Sequence, residues 1–182
     1  MSRPNNYGAL ASDWVHFDWG LDLTADLLPV VSNPNAKISP LSSLKALGKT
    51  PSLYNARGLV VGIPNWTKRI TTSEEIAEWE KEPDYGICIQ TRRLRAIDID
   101  VEDRDLAMEI VRSFENKVGA KLPRRWRENS GKCLLAFMCP GTLSKRAFKV
   151  KGGGQVEFLA DGQQFVAFGT HPSGVRYQWD WS

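Results

Sequence analysis

The sequence is poor in histidine, cysteine and long apolar runs. It contains two histidines and three cysteines. No stretch approaches the ~20 consecutive apolar residues that span a bilayer. The opening "MSRPNNYGALASDW" lacks the apolar core of a secretory signal, so a cytoplasmic location is expected. Cys88, Cys133 and Cys139 are odd in number and have no extracellular signal beside them. That argues against a disulfide framework. Cys133 and Cys139 also lack the close pairing of a zinc site, and neither histidine is near them in sequence.

The 182 residues suffice for one compact domain or two small lobes on a shared core. With 42% hydrophobic and 25% charged residues, the composition is that of an ordinary globular protein. The net charge of +3 conceals an asymmetry. Between Lys121 and Lys151 lie nine basic residues against the single acid Glu128, a local +8 that leaves −5 for the rest. Such a segment is either a solvated loop face or a surface for a polyanion. On the second reading Arg124, Arg125, Lys145, Arg146 and Lys149 are nucleic-acid contacts.

The first ~50 residues give no clear pattern, within the limits of single-sequence reading. "WTKRITTSEEIAEWEKEPD" predicts a helix, with Thr72 and Glu75 as a capping box and Pro83 as its stop. "YGICIQT" and "LRAIDIDV" read as two strands joined by a basic turn. "VEDRDLAMEIVRSFENKVG" predicts a second helix with an apolar stripe at Leu106, Ile110, Phe114 and Val118. Glu102, Asp103 and Asp105 read as its helix-start acids, and Gly119 as its end. "KCLLAFM" predicts a third strand. "QVEFLADGQQFVAFG" predicts a strand, a turn at Ala160-Asp161-Gly162 and a return strand. The order β-β-α-β-β-β implies an α+β sheet with helices against one face.

"LRAIDIDVEDRD" places two carboxylates inside an apolar run. Side chains at i and i+2 of a strand share a face. Asp98 and Asp100 therefore project together beside Ala96, while Ile97, Ile99 and Val101 face the core. Adjacent carboxylates resist joint ionisation unless a cation lies between them. Oxygen ligands of this kind suit magnesium or manganese. The alternative is a polar edge strand. Glu157, in the apolar strand "QVEFLADG", is the candidate third ligand. Three carboxylates can hold two metals roughly 4 Å apart.

Lys132 follows Ser130 and Gly131 where a loop enters a strand, in reach of a triphosphate as a point charge. Arg127 offers a planar fork for phosphate. Ser130-Gly131-Lys132 is not a P-loop, because the earlier glycine of that pattern is missing. His171, before Pro172 and a Ser-Gly turn, is either a phosphate contact or a turn histidine bonded locally. Tyr177, Trp179 and Trp181 alternate as residues that pack a strand face, with base stacking as the other reading.

Taken in order, "GKTP", "WTKRITTSEEIAEW", "YGICIQT", "AIDID", "SGKCLLAF", "VEFLADGQQFVAFGTHPSG" and "YQW" resemble one family. It is the bifunctional DNA primase/polymerase domain of phage and plasmid replication proteins, in the archaeo-eukaryotic primase superfamily. The resemblance covers roughly Lys49 to Trp179. It implies an RRM-like antiparallel or mixed catalytic sheet over about 86–182, with a smaller N-terminal α/β subdomain over about 1–85. It implies template-directed nucleotidyl transfer with two divalent metals, Mg2+ or Mn2+, a single-stranded DNA template and nucleoside triphosphates. A helicase domain or protein is a further partner it raises, and the host cytoplasm is the implied location for a phage or plasmid protein. By the resemblance Asp98 and Asp100 match the paired acids, Glu157 the third acid, and Lys49 a basic position near the site. Many members carry Ser-x-His between the acid motifs. Here the region reads "NSGKCLL", so Lys132, or His171 from the "HPSG" turn, takes that contact.

Two other readings stand beside it. A metal-dependent nuclease would use the same acids, although the lysine that restriction-type nucleases place two residues after the last acid is Leu159 here. A non-catalytic module for single-stranded nucleic acid would need only the basic surface.

Overall fold

The computed structural model describes residues 6–15 and 22–181. The stretch "SDWVHFDWGLDL" falls partly outside the described residues. Short helices and several antiparallel sheets give an α+β fold, as expected. In chain order the first elements are α1 (Ala11–Val15), β1 (Leu27–Val31), β2 (Ser52–Tyr54), β3 (Val60–Gly62), α2 (Ser73–Trp79) and β4 (Tyr85–Gln90). There follow β5 (Leu94–Asp100), α3 (Arg104–Val118), β6 (Arg124–Trp126), β7 (Cys133–Met138) and β8 (Arg146–Lys149). Last come β9 (Gln155–Leu159), β10 (Gln164–Phe168) and β11 (Gln178–Asp180). The chain divides into two units: one up to Gln90 together with Gln164–Arg176, the other Thr91–Gln163 together with Tyr177 onward.

In the first unit β4 lies between β1 and β10, antiparallel to both. Every residue of β4 is buried, so the strand needs a partner on each edge. Leu27 and Leu28 of β1 pair with Ile89 and Cys88 of β4, and all four are buried. Pro29 is tolerated in β1 because that strand is an edge. β2 and β3 form a separate hairpin. The capping box of α2 is present: Thr72 accepts from the Glu75 amide, and Glu75 accepts from the Thr72 amide at 3.0 Å. The helix is shorter than expected, however, because Trp66–Lys68 forms a separate 3-10 turn.

The second unit is one six-stranded antiparallel sheet, ordered β11-β6-β7-β5-β9-β8. α3 covers one face. Ile97, Ile99 and Val101 face it together with Cys133, Leu135 and Val156, packing on Ala107 and Val111. Asp103 caps the helix by accepting from the Leu106 amide at 3.0 Å, and Gly119 ends it at φ 77°. The apolar stripe is shifted by one residue. Ala107 and Val111 are the buried positions, Leu106, Ile110 and Phe114 flank them, and Val118 is 58% exposed. Glu115 completes the buried row and is bonded to Lys121 Nζ at 2.8 Å and to the Leu122 amide.

Two expected hairpins are absent. β4 and β5 belong to different sheets, as do β9 and β10. At the crossing, Thr91 Oγ1 donates to the Ala160 carbonyl at 2.5 Å, and its amide donates to Gln163. Both turns therefore lead the chain from one sheet to another. Among the described residues, no helix is long and apolar enough to cross a membrane.

Candidate active site

Strand pairing in the second unit aligns one transverse row. Trp179 of β11 is opposite Arg125 of β6, Arg125 opposite Leu134 of β7, and Leu134 opposite Asp98 of β5. Asp98 is in turn opposite Glu157 of β9, and Glu157 opposite Ala147 of β8. Directly opposed residues of an antiparallel pair share a face. The alternation that turns Ile97 and Ile99 towards α3 therefore turns Asp98, Asp100 and Glu157 to the other side. Asp98 and Asp100 share a face as expected, and Glu157 is the nearest cross-strand neighbour of Asp98.

Cations surround these acids. Lys132 Nζ lies 2.6 Å from Asp100 Oδ1 and 3.2 Å from Glu102 Oε1. Lys145 Nζ lies 2.7 Å from Glu157 Oε1. Arg125 faces Asp98 and stacks on the Tyr177 ring, its guanidinium carbon 4.4 Å from the ring centroid. Burial pushes the Asp98 carboxyl above the usual carboxylate range; Arg125 opposes the shift, while Asp100 and Glu157 add to it. The hydrogen bond to Asp100 raises the Lys132 ammonium, which stays charged.

Two glycines permit these approaches. A Cβ on Gly131 would lie 2.1 Å from the Glu102 carbonyl, so only glycine lets the "SGK" loop close on the end of β5. Gly154, at φ +84°, packs equally tightly on the Asp100 carbonyl. Ser130 Oγ donates to Glu102 Oε2 at 3.0 Å and accepts from the Lys132 amide at 3.2 Å. Glu102 is therefore not a helix-start acid, as its place in the sequence suggests. It joins the site, and its carboxyl is held low by Lys132 and Ser130. Nothing in the local pattern signals this, because the tie depends on a loop from β6 to β7.

The remaining basic candidates separate. Arg124 faces α3 and pairs with Asp180 at 2.5 Å. Arg127 donates to Asn129 Oδ1 at 3.2 Å. Arg146 and Lys149 are exposed on β8, where Lys149 is opposite Gln155 and Gln155 opposite Asp100. Lys49 and His171 belong to the first unit. There the "GKTP" and "HPSG" segments meet, since Gly48 packs on the Pro172 ring and the Lys49 carbonyl accepts from Gln164 at 2.6 Å. His171 Nδ1 is bonded within its own turn, accepting from the Ser173 amide at 3.0 Å.

The acid row offers a donor set of oxygen only, which suits a hard divalent cation. The Asp98 carboxyl is destabilised as an anion by burial and by two acidic neighbours, a deficit that such a cation offsets. Among the described residues no group of three or more acidic, histidine or cysteine side chains is gathered closely enough to hold a metal ion. Asp100 and Glu157 are instead each on a lysine.

The family model described as "Bifunctional DNA primase/polymerase, N-terminal" matches residues 22–181. No curated protein and no solved structure matches the chain.

Proposed function

The chain belongs to the bifunctional DNA primase/polymerase N-terminal family, and from this premise we propose that it performs template-directed nucleotidyl transfer at the Asp98, Asp100 and Glu157 row. The observation that carries the reading is the register of Asp98 opposite Glu157, with Asp100 two residues on. Three carboxylates on one face, ringed by Lys132, Lys145 and Arg125, suit a site for polyanions and divalent cations. In this reading Asp98, Asp100 and Glu157 hold Mg2+ or Mn2+. When bound, the metals lower the pKa of the attacking hydroxyl and neutralise the departing pyrophosphate.

The chain's own residues do the rest. Arg125, from the β6 side, opposes the upward shift of the Asp98 carboxyl. Lys132 leaves Asp100 and turns to the triphosphate, tethered by the Ser130-Gly131 turn. Arg127 clamps a phosphate with its fork. The 3′-oxygen forms a bond to the α-phosphorus, the bond from that phosphorus to pyrophosphate breaks, and the hydroxyl proton passes to solvent. Positioning and charge stabilisation account for the catalysis. Lys149 on β8, in register with Gln155 and Asp100, offers a contact for a strand phosphate on the acid face, whereas Arg146, opposite Phe158, lies on the α3 side.

The test is a labelled primer on a longer single-stranded template, incubated with Mg2+ or Mn2+ and each triphosphate set. Stepwise lengthening that needs both metal and triphosphate is expected. Cleavage that proceeds without triphosphate would overturn the reading in favour of a nuclease.

A further inference from the structure

We propose that the β11 edge of the six-stranded sheet is a base-stacking platform for single-stranded DNA, formed by Tyr177 and Trp179. The inference rests on the reading above and adds where the strand is held. Alternating aromatics in "YQWDW" suggest side chains packing a strand face. The structure instead leaves Tyr177 and Trp179 only partly covered and Trp181 55% exposed. None of the three belongs to the core beneath α3, where Trp126 packs. Trp179 stacks on Trp181, ring centroids 5.1 Å apart and planes within 18°.

Register fixes the face. Trp179 is opposite Arg125, in the same row as Asp98 and Glu157. Tyr177 meets the guanidinium of that same Arg125. The one acid in the segment, Asp180, faces the other way, bonded to Arg124 and Trp126. The acid face therefore ends at this edge in aromatic rings and a cation, the pairing that holds nucleic-acid strands without regard to sequence.

Distance selects a strand over a lone triphosphate. β11 is three strands from β5. At the usual spacing this puts Trp179 about 14 Å from Asp98. That is farther than a base reaches from its own α-phosphate when that phosphate lies at the acids. A strand of more than one nucleotide spans it.

The test measures fluorescence anisotropy of labelled oligothymidylate of about twelve nucleotides, within the usual site sizes. A matched abasic strand keeps the phosphates and lacks the bases. Neither metal nor triphosphate is present, so the outcome is independent of the metal reading. Trp179→Ala and Tyr177→Ala should each weaken oligothymidylate binding about tenfold, as loss of one stacked base does. Binding of the abasic strand should not change, and Trp179→Phe should restore most of the loss. Equal loss on both strands, or no loss, overturns the proposal. A wild-type measurement guards against a variant that fails to fold. Photocrosslinking with 5-iododeoxyuridine in the strand should label Tyr177 or Trp179. Labelling confined to other segments, or labelling abolished by free triphosphate alone, overturns it too.

Discussion

The Arg95 side chain is 1% exposed and pairs with Asp161, and Asp161→Asn tests what that pair contributes. The guanidinium donates to Asp161 Oδ1 at 2.7 Å, to the Gly141 carbonyl at 2.6 Å, to the Cys139 carbonyl at 3.3 Å and to Thr91. Asp161 is its only carboxylate among these. Asp161 also accepts from the Leu143 amide at 2.9 Å, so it ties the 139–143 loop to the sheet. Removing one partner of a wholly buried pair costs about 3–5 kcal/mol. Asp161 is 37% exposed, so solvent screens the pair and the three carbonyls still serve the arginine. Asparagine loses the charge and keeps one acceptor oxygen, which serves Arg95 or the Leu143 amide but not both, for an expected cost of about 1–2 kcal/mol. Asp161→Ala removes both acceptors at once, for about 2–3 kcal/mol in all. For a chain of this size each kcal/mol moves Tm by about 2–4 °C.

The pH dependence gives a sharper check. The hydrogen bond from Arg95, with that from Leu143, holds the Asp161 carboxyl below its ordinary value. A depressed carboxyl contributes stability above its unfolded pKa, about 3.9, and loses it as pH falls through the folded value. Urea unfolding of wild type and Asp161→Asn should therefore differ most near neutral pH. The difference should shrink as pH falls below about 4. A gap under about 0.5 kcal/mol at pH 7, within ordinary surface-mutation effects, or a gap that stays constant into acid, would refute the reasoning.

Gly131→Ala should lower Tm and reduce primer extension more than the lost stability explains, because a Cβ there meets the Glu102 carbonyl and displaces Lys132 from Asp100. Thermal unfolding beside steady-state extension checks this, and an unchanged Tm would contradict it. Lys132→Ala should raise KM for triphosphate by about tenfold or more, the worth of one charge-assisted hydrogen bond to phosphate. Lys132→Arg should recover part of it. A KM equal to wild type would remove Lys132 from the phosphate site.

The pairing of Asp98 with Asp100 was legible because strand alternation is local and fixed. Glu157 stood out as an acid in an apolar run. Its place opposite Asp98 was not legible, since register between distant strands is set by the whole sheet. The same limit hid the two crossings between sheets. "TRRL" and "ADGQ" carry ordinary turn chemistry, and only the partners of β4 and β5 decide that neither is a hairpin. β1 is not legible in the sequence because Pro29 reads as a strand breaker, which an edge strand tolerates. Arg95 shares the alternation of Ile97 and Ile99, and its burial depends on carbonyls from a loop far along the chain. Composition makes Lys145 a nucleic-acid contact; its position on Glu157 depends on the pairing of β8 with β9 and is not legible locally.

Single-turnover primer extension by wild type and by the Asp98→Ala, Asp100→Ala double variant, compared at equal folded fraction, addresses the assignment of the acids most directly. The expected result is normal binding of the primer-template with extension reduced by at least about 10³-fold, the scale of losing several kcal/mol of transition-state charge stabilisation. Extension by the double variant at the wild-type rate would contradict the assignment of Asp98 and Asp100.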